Sequence, residues 1–311
     1  MNSQEEKTPK PFEESPVKMN SMLLISILVS GLIIAGALMY RSDVPAEDNE
    51  VASNQSDTTV SELEQKVLPV GGVVLPITWG NLGAQMIDAG VIDAEKFRYM
   101  YKQRGLLNED LETLLSEKKT DDNIEITREN APLLLNMFWA LGLSNKNSIL
   151  EEGPMMDPRY GGAHRFASTA GWTLAKGNPM DHYSRHSFFN LTPEQQELVL
   201  KVSKGIYRPC CNNSTHFPDC NHGMAMLGLL ELAASQGVSE EMLWEIALVV
   251  NSYWFPDTYL TIATYKENAG VPWDKVDPKE VLGIDYSSAS GYSKIASQVR
   301  TPKGQGGGCS V

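Results

Sequence analysis

The sequence predicts an all-α domain with long loops behind a single N-terminal transmembrane helix. Three observations lead there. Residues Met22 to Tyr40 form an uncharged apolar run of 19 residues. Beyond it, a series of helical segments open on a capping residue, and several close on glycine. No strand-like alternation of any length interrupts them.

The apolar run is long enough to cross a bilayer core as a helix. Its two glycines are tolerated because a helix in lipid satisfies its own backbone. Ala35-Gly36-Ala37 is a small-x-small triplet of the cleaved-signal kind. It lies inside the apolar run, however, and the run exceeds an ordinary signal-peptide core, so an uncleaved anchor is expected. No cysteine follows directly, which argues against a lipid-anchored form. Residues 1–21 are a short tail carrying Lys7, Lys10 and Lys18. Their charge favours the tail inside and the large C-terminal part outside the cytoplasm, as a single-pass protein of the cell membrane. Residues 41–66 are polar and acidic and read as a disordered spacer. The folded domain is then 67–311, sufficient for a substantial core.

Within it, Thr78–Gly90 is amphipathic through Leu82, Met86 and Ile87. Asp93 caps Ala94–Arg104, and Gly105 ends it. Asn108–Lys118 follows, with leucines at 111, 114 and 115. Thr127 caps Arg128–Leu141, which Gly142 closes. Residues 153–190 lose this periodicity and are rich in Gly, Pro, Tyr, Ser and His, the texture of a functional loop. Thr192-Pro193-Glu194-Gln195 carries the cap, first-turn proline and capping-box glutamine of a helix reaching about Ser203. After a Cys/His-rich loop, helices are expected over His222–Gln236, from the Ser239 cap to about Trp254, and from Asp257 or Thr258 to Asn268. Asp277-Pro278 begins a short one. From Ser287 the chain reads as a flexible Ser/Gly-rich tail containing Cys309.

The formal net charge is −13 and no basic patch is visible, so nucleic acid and anionic lipid are not expected partners. The membrane is met through the N-terminal helix. The sequence names no protein partner, substrate or reaction. No P-loop, dinucleotide glycine motif or G-x-S-x-G elbow is present.

Chemistry concentrates in residues 207–226, which hold Cys210, Cys211, Cys220, His216, His222, Met224 and Met226. Cys220 stands at a helix start, where exposed N–H groups favour a thiolate. His222 and Met226 are four apart and share a helix face. Thiolate, imidazole and thioether together suit Cu(I), and thiolate with imidazole suits zinc. The spacing matches no standard zinc knuckle, and adjacent cysteines rarely chelate one ion comfortably. His182 and His186 have the i, i+4 spacing of many metal sites. They, His222 and the thiols would meet if the loop 153–190 folded over the Cys-rich loop, with Tyr160, Tyr183 and Trp172 shielding the pocket. Asp219 is either a further ligand or a helix cap.

The expected function is therefore a membrane-anchored extracytoplasmic domain binding copper or zinc through Cys210, Cys211, Cys220, His222, Met226, His182 and His186. Two alternatives stand beside it. One is a thiol–disulfide oxidoreductase with Cys220 as nucleophile. The other is a non-catalytic binding domain stapled by Cys211–Cys220 and Cys210–Cys309, since cysteines outside the cytosol usually pair. His222 and Met226 also fit a plain core reading, and His182 and His186 a plain surface one.

Overall fold

Two apolar helices with glycine at their crossing carry the core. In the computed structural model, residues 62–106, 108–116 and 120–299 are described, all within one unit of the chain, Asn54–Val311. The tail, the anchor at 22–40, the spacer as far as 61, and Cys309 lie outside the described residues. Among the described residues no helix is long and apolar enough to cross a membrane.

The chain enters through helix α1 (62–67), whose Leu63 and Val67 are buried. The expected spacer therefore ends earlier than residue 66, because these two residues, four apart, put one apolar stripe onto the core. Strand β1 (Val73–Gly80) follows, then α2 (Leu82–Asp88), α3 (Ala94–Gln103), α4 (Glu109–Leu115) and strand β2 (Thr120–Ile126). β1 and β2 pair antiparallel with a shifting register. The domain is thus mostly helical rather than all-α. In β1 the inward residues Leu75, Ile77 and Trp79 alternate with more exposed ones, and Thr78, expected to open a helix, lies in the strand.

Helix α5 (Ala131–Ser144) is buried almost all round, as is α9 (Asn221–Ser235). A Cβ on Gly142 would overlap Met224 O, and one on Gly228 would overlap Phe138 O. The two backbones touch because neither residue has a side chain. Gly142, expected as a stop, lies inside α5. The helix starts at Ala131 rather than Arg128, because Thr127 Oγ1 accepts from Asn130 N and Asn130 Oδ1 from Thr127 N, closing a turn ahead of the helix.

Around this pair stand α6 (Ser148–Glu152), α7 (Ala167–Ala170), α8 (Pro193–Gly205), α10 (Glu240–Trp254) and α11 (Pro256–Asn268). The expected caps at Asp93, Thr192, Ser239 and Asp277 all accept backbone N–H bonds, and Thr192 with Gln195 forms a full capping box. After α12 (Pro278–Val281) and α13 (Ile284–Ser287), residues expected to open a flexible tail from Ser287 instead build α14 (Ala289–Ala296). Ile295 anchors α14 in the core, and Ser288 Oγ accepts from Gly291 N to cap it.

Candidate metal centre

The Cys-rich loop is held at both ends and from within. Tyr207 N donates to Leu282 O, Thr215 N to Ile206 O and His216 N to Ser203 O. Tyr207 and Ser214 form an isolated antiparallel bridge. On the far side Ala289 N donates to Cys211 O at 2.8 Å, and Ser290 N to Asn212 Oδ1 at 2.9 Å.

The interior of the loop is organised by Arg208, only 2% exposed. Its Nε donates to Cys220 Sγ at 2.9 Å, Nη1 to Asn213 O at 3.1 Å, and Nη2 to Phe217 O at 2.9 Å and Asp219 Oδ1 at 2.5 Å. Asn213 Nδ2 donates to the other Asp219 oxygen at 2.8 Å. Both carboxylate oxygens are therefore occupied. Asp219 serves as the counter-ion of Arg208, and the cap of α9 is Cys220, whose Sγ accepts from Gly223 N at 3.4 Å. A Cβ at Gly223 would overlap Arg208 Cζ, so glycine in the first helical turn makes room for the guanidinium.

Cys210, Cys211 and Cys220 place their sulfurs within 4.8 Å of one another, and Cys210 Sγ lies 3.5 Å from Cys220 Sγ. A disulfide brings sulfurs to about 2.05 Å. Two thiolates on one tetrahedral zinc, each about 2.3 Å from it, stand about 3.8 Å apart. The observed spacing is too long for a disulfide and short enough that the three thiols could hold one ion. All three are free, so among the described residues there is no disulfide and the Cys211–Cys220 staple is not formed. Cys220 has its thiol held well below the usual range by hydrogen bonds from Cys210 and then Cys211, with His222 and the Arg208 charge adding to an effect that burial opposes. Cys210 moves the opposite way, since it donates to its two neighbours. Burial opposes the charge of Arg208, but the sulfurs of Cys220 and Cys211 outweigh it, and the guanidinium stays ionised.

These three thiols are the only group of three or more His, Cys, Asp or Glu ligands gathered this way among the described residues. No family model, no curated protein and no solved structure matches this chain.

The other expected ligands lie outside the trio. His222 packs on Phe255 with ring centroids 4.3 Å apart, and its buried Nδ1 completes no hydrogen bond, although the ring stands near enough to Cys220 to favour its thiolate. Met226 is a core residue, 1% exposed. His182 and His186 engage each other, Nδ1 to Nε2, at 3.1 Å, and His182 Nε2 meets Lys176 O at 3.2 Å. His186 also stacks on Phe188. The loop 153–190 does reach the Cys-rich loop, but through Ser168 N, which donates to Asp219 O, and through Tyr160, packed on Phe217. Tyr183 and Trp172 bond elsewhere, to Leu150 O and Val91 O.

Sequence reasoning missed Arg208. Its signal was there: a lone arginine two residues before a Cys-Cys pair, and a glycine in the first turn of a helix opened by a third cysteine.

Proposed function

We propose that this protein binds one soft transition-metal ion, Cu(I) or zinc, through the thiolates of Cys210, Cys211 and Cys220. The observation that carries the reading is the convergence of three free sulfurs within 4.8 Å at the start of α9. Three thiolates satisfy a trigonal Cu(I) ion, and zinc would recruit a fourth ligand. Arg208 and Gly223 donate N–H bonds to Cys220 Sγ and so fix the direction of its free lone pairs, the orienting role that outer hydrogen bonds play around metal ligands. With the apolar run at 22–40 taken as an anchor, such a domain would handle metal at the outer face of a membrane.

The test is elemental analysis of the full chain, purified without a histidine tag and under reductant. About one equivalent of copper or zinc is expected, lost in Cys220→Ser. Protein that is metal-free and refuses both Cu(I) and zinc overturns the reading.

One observation favours a second reading. Exposed Cys210 stands beside Cys220, whose thiolate Arg208 supports. In thiol–disulfide exchange, Cys220 would attack a substrate disulfide and expel one thiolate. Cys210 would then attack the mixed disulfide, leaving Cys210–Cys220 oxidised and the substrate as two thiols. Native mass spectrometry with and without reductant separates the two: bound metal supports the first, and a 2 Da loss without metal the second.

A further inference from the structure

His222 lies in the first turn of α9, two residues after Cys220, and is only 7% exposed. Phe255 covers its ring, and Trp254 meets it edge-on at a centroid distance of 6.0 Å. In this apolar seat the buried Nδ1 completes no hydrogen bond. A buried polar atom left unpaired is costly, and a neutral imidazole nitrogen is also the commonest metal ligand. The ring borders the thiols, since it adds to the forces that favour the Cys220 thiolate.

Other non-sulfur donors of the loop are engaged or face elsewhere. Both Asp219 oxygens accept hydrogen bonds, from Arg208 and Asn213. His216 lines a separate cavity with Glu152 and Lys204. Three thiolates satisfy a trigonal Cu(I) ion, whereas zinc in proteins is almost always four-coordinate. The trio alone therefore suits Cu(I) and leaves zinc one ligand short. His222 does not lie within the 4.8 Å that gathers the three sulfurs. A nitrogen and a sulfur on one tetrahedral zinc stand about 3.5 Å apart, so zinc has to draw the ring in and Cu(I) does not.

We infer that His222 is the fourth ligand of zinc at this centre and sets its preference between zinc and Cu(I). The inference rests on the metal-binding reading of Cys210, Cys211 and Cys220.

The test titrates the reduced full chain with zinc, and separately with Cu(I), each against a competing chelator. His222→Phe keeps an aromatic ring beside Phe255. It is expected to bind zinc at least tenfold more weakly, with Cu(I) affinity within twofold of the parent, which also shows that the thiols are still in place. Cys309→Ser is expected to bind both ions like the parent. Nitrogen-15 shifts of the histidine rings in the unsubstituted chain give a readout independent of folding in the variant: zinc is expected to shift a ring nitrogen of His222, and Cu(I) to leave both unmoved. Should His222→Phe lose both ions, these shifts decide. A parent that takes Cu(I) but refuses zinc, or binds zinc with the His222 nitrogens unmoved, overturns the inference and leaves the three-thiolate centre standing. So does a His222→Phe protein with unchanged zinc affinity. A parent that refuses both ions overturns the two together.

Discussion

Arg208 Nε reaches Cys220 Sγ at 2.9 Å, and the same guanidinium holds Asp219 and two loop carbonyls. One buried cation thus ties a thiolate, a carboxylate and the backbone between them. Removing it takes the counter-ion from Asp219 and the charged donor from the sulfur, leaving them only Asn213 Nδ2 and Gly223 N. Breaking one side of a buried ion pair typically costs about 3–5 kcal/mol, an upper bound here because Asp219 is 22% exposed and water can reach it. Arg208→Ala is expected to lose stability on that scale in urea denaturation. Lysine, a point charge without the planar fork, is expected to restore little of it.

Gly223→Ala tests the same seat from the helix side. The new methyl overlaps Arg208 Cζ, so the guanidinium must move off Cys220. Losing that charge and hydrogen bond raises the Cys220 pKa. The pH profile of Cys220 alkylation, followed by mass spectrometry, is expected to shift to higher pH in this variant, and an unchanged profile would show that Arg208 does not support the thiolate.

The limits of the metal centre are testable by contrast. His182→Ala and His186→Ala alter a pair bonded to each other and to Lys176 O, outside the sulfur trio. Both variants are expected to retain copper or zinc like the parent, whereas Cys220→Ser is expected to lose affinity at least tenfold. Loss of metal on removing either histidine would redraw the site.

Glu231 gives the fold a pH dependence. It is fully buried on α9; Oε2 accepts from Asn145 Nδ2 at 2.7 Å, and Oε1 has no partner. Burial pushes its carboxyl well above the usual range, against the hydrogen bond from Asn145. Above about pH 4.5 the unfolded chain releases this proton while the folded chain keeps it, so stability falls as pH rises until the folded carboxyl also ionises. Glu231→Gln, which cannot ionise, is expected to match the parent near pH 4.5 and to exceed its melting temperature by a margin that widens toward pH 8. A constant margin would contradict this.

The helix crossing predicts a sharp positional contrast. Gly228→Ala forces a methyl into Phe138 O, and such overpacking typically costs about 1–3 kcal/mol. Gly71→Ala meets nothing within 4 Å and is expected to be neutral. Urea midpoints of the two variants measure the difference.

Helices were legible in the sequence where a polar cap preceded an apolar stripe, because both signals are local: Asp93, Asn108, Thr192, Ser239 and Asp277 all accept backbone N–H bonds at helix starts. The sheet was not. Pro76 interrupts β1, and β2 is largely polar, so alternation was masked in both. Gly142 looked like a stop because its reason for being glycine, the carbonyl of Met224, lies far along the chain. The same limit applied at the site. Cys210, Cys211 and Cys220 announced themselves by residue type, but the ion pair of Arg208 with Asp219 and the separate pairing of His182 with His186 are tertiary facts.

The peptide N–H of Ala289 and that of Ser290 grip Cys211 O and Asn212 Oδ1 from 78 positions downstream. During synthesis the thiols therefore leave the ribosome well before their brace has been translated. Until that last stretch is made and docked, the Cys-Cys turn lacks two of its supports, and a nascent chain arrested short of residue 289 would present the three sulfurs without their final spacing.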